Sequence, residues 1–180
     1  MKVTKTPLDG TLVIEPATYG DERGFFLECF EKRRYSELGI TEDFVQDNHS
    51  RSKKDVLRGL HFTKTKPQAQ ILTVMRGRIF DVVVDLRRES NTFGKWFGTE
   101  LSDVGQRQIY MAHGFAHGFC VLSDFADLHY KVDQRYDASD EGGLLWNDPA
   151  IGIDWPVDKP IISSRDRSHP LLREISWPSA

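Results

Sequence analysis

Cysteine is nearly absent from this chain: Cys29 and Cys120 are the only thiols in 180 residues. They match no C-x-x-C or other metal spacing and cannot form a disulfide framework, which fits a reducing compartment and predicts a cytoplasmic protein. Long apolar runs are missing as well. No stretch approaches the roughly 18 residues that a membrane-spanning helix needs, and Met1–Gly10 has no apolar segment of the signal-peptide kind. There is no basic excess either, the formal net charge being −3, so neither a nucleic-acid nor a membrane partner is expected. Arginine nevertheless outnumbers lysine fourteen to ten, which leaves room for local anion pockets. Helical periodicity is scarce, and only Glu31–Leu38 reads as a helix, with Gly39 as its C-terminal cap. No repeat, low-complexity segment or linker divides the chain, so residues 1–180 are expected to form one domain.

Short strand-like runs fill most of the length: Thr11–Glu15, Gly24–Phe30, Val56–Phe62, Gln70–Met75, Ile79–Leu86, His117–Leu122 and Ala126–Val132. Turn signals such as Arg76-Gly77, Glu89-Ser90-Asn91 and Ser123-Asp124 separate them. Many short strands with few helices predict an all-β sandwich or barrel. From Trp146 to Pro170 turn formers and prolines replace the strand pattern. This stretch is expected to wrap the barrel as an irregular tail, its tryptophans anchored in apolar slots.

The segment Val56-Leu57-Arg58-Gly59-Leu60-His61-Phe62 carries the strongest chemical signal. In a regular strand Arg58 and His61 leave opposite faces. Gly59 is where a bulge would bring both to one cavity, a guanidinium for phosphate oxygens beside a near-neutral base. In His113-Gly114-Phe115-Ala116-His117-Gly118-Phe119, the four-residue histidine spacing would suit zinc on a helix, but two glycines argue for a turn entering a strand. His117 then reads as a buried, hydrogen-bonded histidine that at most orients another group, and no metal site is expected. In Ala126–Lys131, Leu128 and Tyr130 share one face, and an inward tyrosine needs a partner for its hydroxyl or a proton to give. Arg23, among the aromatics of Asp21–Glu28, could hold a phosphate. Phe44–Asn48 offers neutral hydrogen-bonding groups. In Ser163–Arg167, Asp166 between two arginines should stay ionised.

Together the stretches DERGFFLECF, FVQDNHS, VLRGLHF, GRIFDVVVDLR, GFAHGF, HYKV, WNDPAIGIDWP and SSRDR resemble the dTDP-4-dehydrorhamnose 3,5-epimerase family, in the family's order and over nearly the whole chain. The resemblance implies a cupin-type jelly roll, a homodimer with shared active sites, and no metal or organic cofactor. It also implies a sugar-nucleotide substrate bearing a 4-keto-6-deoxyhexose, epimerised by proton removal and return through an enolate. By the same resemblance His61 is the base, Asp166 its carboxylate partner and Tyr130 the proton donor on the opposite face. Arg58 and Arg23 match diphosphate-holding positions, and Gln46 and Asn48 add neutral hydrogen bonds. Phe26 and Glu28 match residues that meet the nucleobase from the partner subunit. Gln70, His117 and Arg167 complete the expected substrate contacts.

One departure stands out. Gln70 occupies a position where the family usually has a lysine that stabilises the enolate oxygen, and an amide supplies no positive charge. Lys64 and Lys66 are the neighbouring cations that would have to reach in. Met111-Ala112-His113 also departs from the family's proline and acidic residue, and Thr73 and Met75 look unusual. These departures raise two alternatives, a single-centre epimerase of another nucleotide-linked 4-keto sugar such as a CDP-sugar and a catalytically weakened sugar-nucleotide binder; a metal-dependent cupin enzyme is a further, separate class.

Overall fold

A computed structural model describes residues 1–177. In chain order it contains strands β1 (Lys2–Lys5), β2 (Thr11–Glu15), β3 (Thr18–Asp21) and β4 (Gly24–Leu27), then helix α1 (Lys32–Ser36). Strands β5 (Gln46–Lys53), β6 (Leu57–Thr63), β7 (Gln70–Arg76), β8 (Arg78–Asp85) and β9 (Trp96–Ser102) follow. After β10 (Gln108–Met111), β11 (Phe115–Val121), β12 (Phe125–Val132) and β13 (Glu141–Gly143) come the short helix α2 (Ser164–Arg167) and a 3-10 turn, Leu172–Glu174. The strands pair antiparallel in a six-stranded sheet, β1-β2-β10-β7-β12-β5, and a five-stranded sheet, β13-β6-β11-β8-β9. The expected all-β, cupin-like jelly roll is what forms. Among the described residues the hairpin β3–β4 pairs only with itself. No helix among the described residues is long and apolar enough to cross a membrane.

Alternation along the strands explains why the two sheets pack face to face. Leu72 and Val74 of β7, Ile109 and Met111 of β10 and Leu128 of β12 meet Ile79 and Val83 of β8 and Phe119 and Val121 of β11 in one buried cluster. The opposite faces are covered too. Tyr35 of α1, Ile40 and Phe44 lie over Ile14, Ile71 and Tyr110. The tail residues Ile151, Ile153, Trp155 and Leu172 lie over Leu60, Val82 and Val84. Strands buried on both faces need apolar residues at nearly every position, hence the run Ile79–Val84 interrupted only by Asp81. Each such side chain contributes roughly 1.5–3 kcal/mol by leaving water.

The expected strand runs are all present, Thr11–Glu15 with the same bounds and the others with ends displaced by at most three residues. Gly24–Phe30 stops at Leu27. The helix is shorter than expected, Glu31 acting as N-cap by accepting from the N–H groups of Arg33 and Arg34, and Gly39 following it with a φ of 87°. It is not the only helix, because Ser163 caps α2 by accepting from the Asp166 N–H at 3.0 Å. The tail is irregular and anchored as expected: Trp155 Nε1 donates to the Trp146 carbonyl at 2.8 Å. Cys29 and Cys120 are both free.

Gly59 does create a bulge. Arg58 pairs with Phe119 and His61 with His117, so β6 advances three residues where β11 advances two. Gly59 has a φ of 113°, and a Cβ there would sit 2.7 Å from both the His117 carbonyl oxygen and Gly118 Cα. Gly59→Ala is therefore expected to cost about 2 kcal/mol or more in strain and collision. Urea unfolding should show it as a lower midpoint at unchanged slope. An alanine variant as stable as wild type would show that the bulge does not need glycine.

Candidate active site

Arg58 and His61, on either side of the bulge, both line a cavity of about 820 Å³ between the two sheets. From the six-stranded sheet, every second residue of β5 (Gln46, Asn48 and Ser50) reaches the same cavity, as do Gln70 of β7 and Tyr130 of β12. From the five-stranded sheet come His61, His117 and Glu141, while α2 brings Arg165 and Asp166. His61 and Tyr130 thus stand on opposing sheets across one space.

The tail completes the His61 site. Asp166, buried, accepts from His61 Nε2 at 3.0 Å through Oδ1 and from the Gly59 N–H at 3.0 Å through Oδ2. Burial alone would push this carboxyl up, but those donors outweigh it and bring it from 3.8 to about 2. An ionised Asp166 keeps the proton on Nε2, so the His61 lone pair is on Nδ1. Nδ1 lies 4.0 Å from Glu141 Oε1. Glu141 accepts from Arg165 at 2.5 Å and from the Tyr136 hydroxyl at 3.0 Å. Its burial raises the carboxyl's affinity for a proton, yet the Arg165 and Tyr136 bonds and the His61 ring hold it below the ordinary value. Burial pushes the Tyr130 phenol up, partly opposed by Arg58, so Tyr130 keeps its proton. Arg58 Nε donates to Ser52 Oγ at 2.8 Å, which fixes the guanidinium at the cavity edge. His117 Nε2 meets the fully buried Asp81 at 2.7 Å, the hydrogen-bonded histidine expected. His113 pairs separately with Asp133 at 2.6 Å, so the two histidines share no ligand.

Most expected residues converge: His61, Tyr130, Asp166, Gln46, Asn48, Arg58, Gln70 and His117 all line the cavity. Arg167 does not. Two residues on from Arg165 in a helical turn, it points away, its Nε donating to the Ile162 carbonyl at 3.2 Å. Arg165 takes the cavity side instead. Arg23, Phe26 and Glu28 also lie outside this chain's cavity. Arg23 is exposed and paired with Asp21 at 2.5 Å, Phe26 is 70% exposed, and Glu28 meets Arg34 at 2.9 Å. Glu141 and Tyr136 were missed, since Tyr136-Asp137-Ala138-Ser139-Asp140-Glu141 reads as an ordinary polar loop.

The wall around Gln70 is neutral. Gln70 Nε2 donates to Gln68 Oε1 at 3.2 Å, Gln68 to the Gln134 carbonyl at 2.9 Å, and Gln46 to Asn48 at 2.8 Å. No lysine is among the residues lining the cavity. Lys66 faces Asp137 at 3.8 Å, and Lys64 borders a separate small pocket. Thr73, Met75 and Met111 do not line the cavity: Thr73 Oγ1 accepts from Gln108, Met75 is exposed and Met111 lies in the core.

Residues 5–174 match the family described as dTDP-4-dehydrorhamnose 3,5-epimerase. The chain belongs to that family. It is 50% identical over 173 residues to the dTDP-4-dehydrorhamnose 3,5-epimerase of Methanothermobacter thermautotrophicus, covering 94% of each chain. A dTDP-4-dehydrorhamnose 3-epimerase of Streptomyces niveus is 42% identical, over 97% of this chain and 85% of that protein. The crystal structure of a dTDP-6-deoxy-D-glucose-3,5-epimerase from Legionella pneumophila, in complex with dTDP-4-keto-L-rhamnose, superposes with a TM-score of 0.95 at 46% identity, covering 97% of this chain and 94% of that one. Family membership makes the protein a carbohydrate epimerase, hence an isomerase.

The Asp166 clamp has a pH signature. Its carboxyl titrates at about 2 when folded against 3.8 ordinarily, so its contribution is fully present above about pH 4 and is lost as pH falls toward about 2. At about 1.4 kcal/mol per pH unit this amounts to roughly 2 kcal/mol. Asp166→Asn is expected to remove that part of the acid-side decline in urea-unfolding stability. A variant that declines between pH 4 and 2 as steeply as wild type, on the same scale as above, would refute the assignment.

Proposed function

We propose that this chain, as one domain of a cytoplasmic homodimer, inverts configuration beside the ketone of a nucleotide-linked 4-keto-6-deoxyhexose. The observation that carries the reading is an imidazole, His61, and a phenol, Tyr130, on opposite walls of one cavity, placed to serve as base and proton donor. A ketone at C4 acidifies the hydrogens on C3 and C5. His61 Nδ1 removes such a proton, the electron pair moves onto the C4 oxygen as an enolate, and Tyr130 returns a proton from the other face. A proton leaves and a proton returns, with no electrons transferred, so the reaction as written calls for no cofactor. Asp166 holds the imidazole and balances its charge once it is protonated. Arg58 suits the diphosphate. The hairpin β3–β4, with Tyr19, Phe25 and Phe26 all exposed, suits insertion into a second copy, where Arg23, Phe26 and Glu28 would meet the nucleotide end of the substrate.

Exchange in deuterated buffer tests the division of labour. With dTDP-4-keto-6-deoxyglucose as substrate, His61→Asn is expected to retain less than about a hundredth of wild-type deuterium wash-in while still binding nucleotide. Tyr130→Phe is expected to lose net epimerisation more severely than wash-in, because His61 still removes and returns a proton on its own face. Equal losses in the tyrosine variant would refute its role as donor.

A second reading, epimerisation at a single carbon, is favoured by the neutral wall. Here Gln70 Nε2 donates to the C4 oxygen, a weaker stabiliser of the enolate than a charged donor. Gln70→Ala is expected to lower turnover by on the order of 10²-fold. Gln70→Lys is expected to run no faster than wild type, since the Gln68–Gln70 chain is arranged for an amide. A faster lysine variant, or one that begins exchange at a second carbon, would count against that arrangement.

A further inference from the structure

His169, just beyond α2, is unused by the proposed reaction, yet it is placed with care against the reacting pair. Its ring stands edge-on to that of His61, with centroids 5.5 Å apart and planes at 78°. Room for it exists only because position 143 is glycine: a Cβ there would lie 2.3 Å from three atoms of the His169 ring. Even so, Nδ1 of His169 is enclosed and lacks any hydrogen-bond partner among the described residues, a costly state for a polar nitrogen. One ligand atom each from His61, Asp166 and His169 fall within 4.8 Å of one another.

Two imidazoles and a carboxylate are the donor set of zinc and its neighbours rather than of magnesium, and two of the three, His61 and Asp166, line the cavity. Tetrahedral zinc at about 2.0–2.2 Å from each ligand places the ligand atoms about 3.3 Å apart, so a modest inward turn of the side chains closes the site. Asp166 supplies the negative charge. Arg165, the adjacent cation, is engaged by Glu141.

We propose that His61, Asp166 and His169 form a zinc-type transition-metal site whose occupation switches the enzyme off. The metal binds the Asp166-facing nitrogen of His61, Nε2, and the carboxylate of Asp166; the ring proton then sits on Nδ1, which no longer offers a lone pair to the substrate, so the metal acts as an inhibitor and not as a cofactor. Its effect on turnover rests on the proposed role of His61, whereas the binding itself does not.

Calorimetric titration of the chelator-stripped full chain with zinc is expected to show one ion per chain, and titration with magnesium none. His169→Asn is expected to weaken zinc binding at least ten-fold, as loss of even an outer-shell partner does, and to raise the half-inhibiting zinc concentration in the deuterium-exchange assay in parallel. His113→Asn, which removes the exposed His113–Asp133 pair, is the control and is expected to stay within about two-fold. Independently of any variant, zinc added to wild type is expected to move the imidazole nitrogen resonances of His61 and His169 among the six histidines. Absence of stoichiometric zinc, unchanged affinity in His169→Asn, or movement of other histidines instead would overturn the site. Zinc held there without slowing exchange would overturn the inhibition. Zinc-free wild type that exchanges no deuterium would instead sink the epimerase mechanism, leaving the binding result to stand alone.

Discussion

The carboxylate of Asp166 joins two parts of the molecule that the chain order keeps far apart. One oxygen accepts from the backbone of the bulged strand β6 and the other from the imidazole that β6 carries. The irregular tail is thereby fastened to the five-stranded sheet by the group that sets the His61 tautomer. Packing supports the same junction, because tail residues such as Ile151, Trp155 and Leu172 cover the outer face of that sheet. Stability and chemistry meet in one buried ion. Its removal leaves both a backbone N–H and an imidazole without their acceptor, which is the expensive way to lose a hydrogen bond.

The cavity follows from a second constraint. A jelly roll with both sheet faces covered fills its interior with apolar side chains unless some strand supplies polar ones. Here β5 does so, presenting Gln46, Asn48 and Ser50 inward at period two. It lies at the edge of its sheet, where polar residues disrupt the core least. The price of binding a polar ligand is therefore confined to one end of the sandwich, while the other end keeps the dense apolar cluster around Ile79, Ile109 and Leu128.

Much of this was legible in the chain. Apolar runs bounded by glycine and polar turns marked the inner strands, and the glycine between Arg58 and His61 marked the bulge. The order of the family stretches singled out His61, Tyr130 and Asp166, and the three do line one cavity. Strands β1, β3, β9, β10 and β13 escaped notice because they are short or are broken by glycine and polar residues. Strand β5 has no apolar residue at all, for the physical reason that its inner face lines a polar cavity and not the core. Arg167 and Arg165 were indistinguishable in sequence, since only the turn of α2 decides which faces the cavity.

By itself, then, the sequence determined the all-β architecture and the family, and it singled out the residues proposed to react, because these depend on local periodicity and on residue types in a fixed order. Tertiary structure alone decided what depends on distance between remote segments. It brought Glu141, Tyr136 and Arg165 to the imidazole, set His169 against it over Gly143, and kept Lys64 and Lys66 off the Gln70 wall. It also left the β3–β4 hairpin, with Arg23 and Phe26, outside this chain's own cavity. No pattern along a strand records how far apart two strands will finally stand. That separation is set by the packing between sheets, to which every buried side chain contributes.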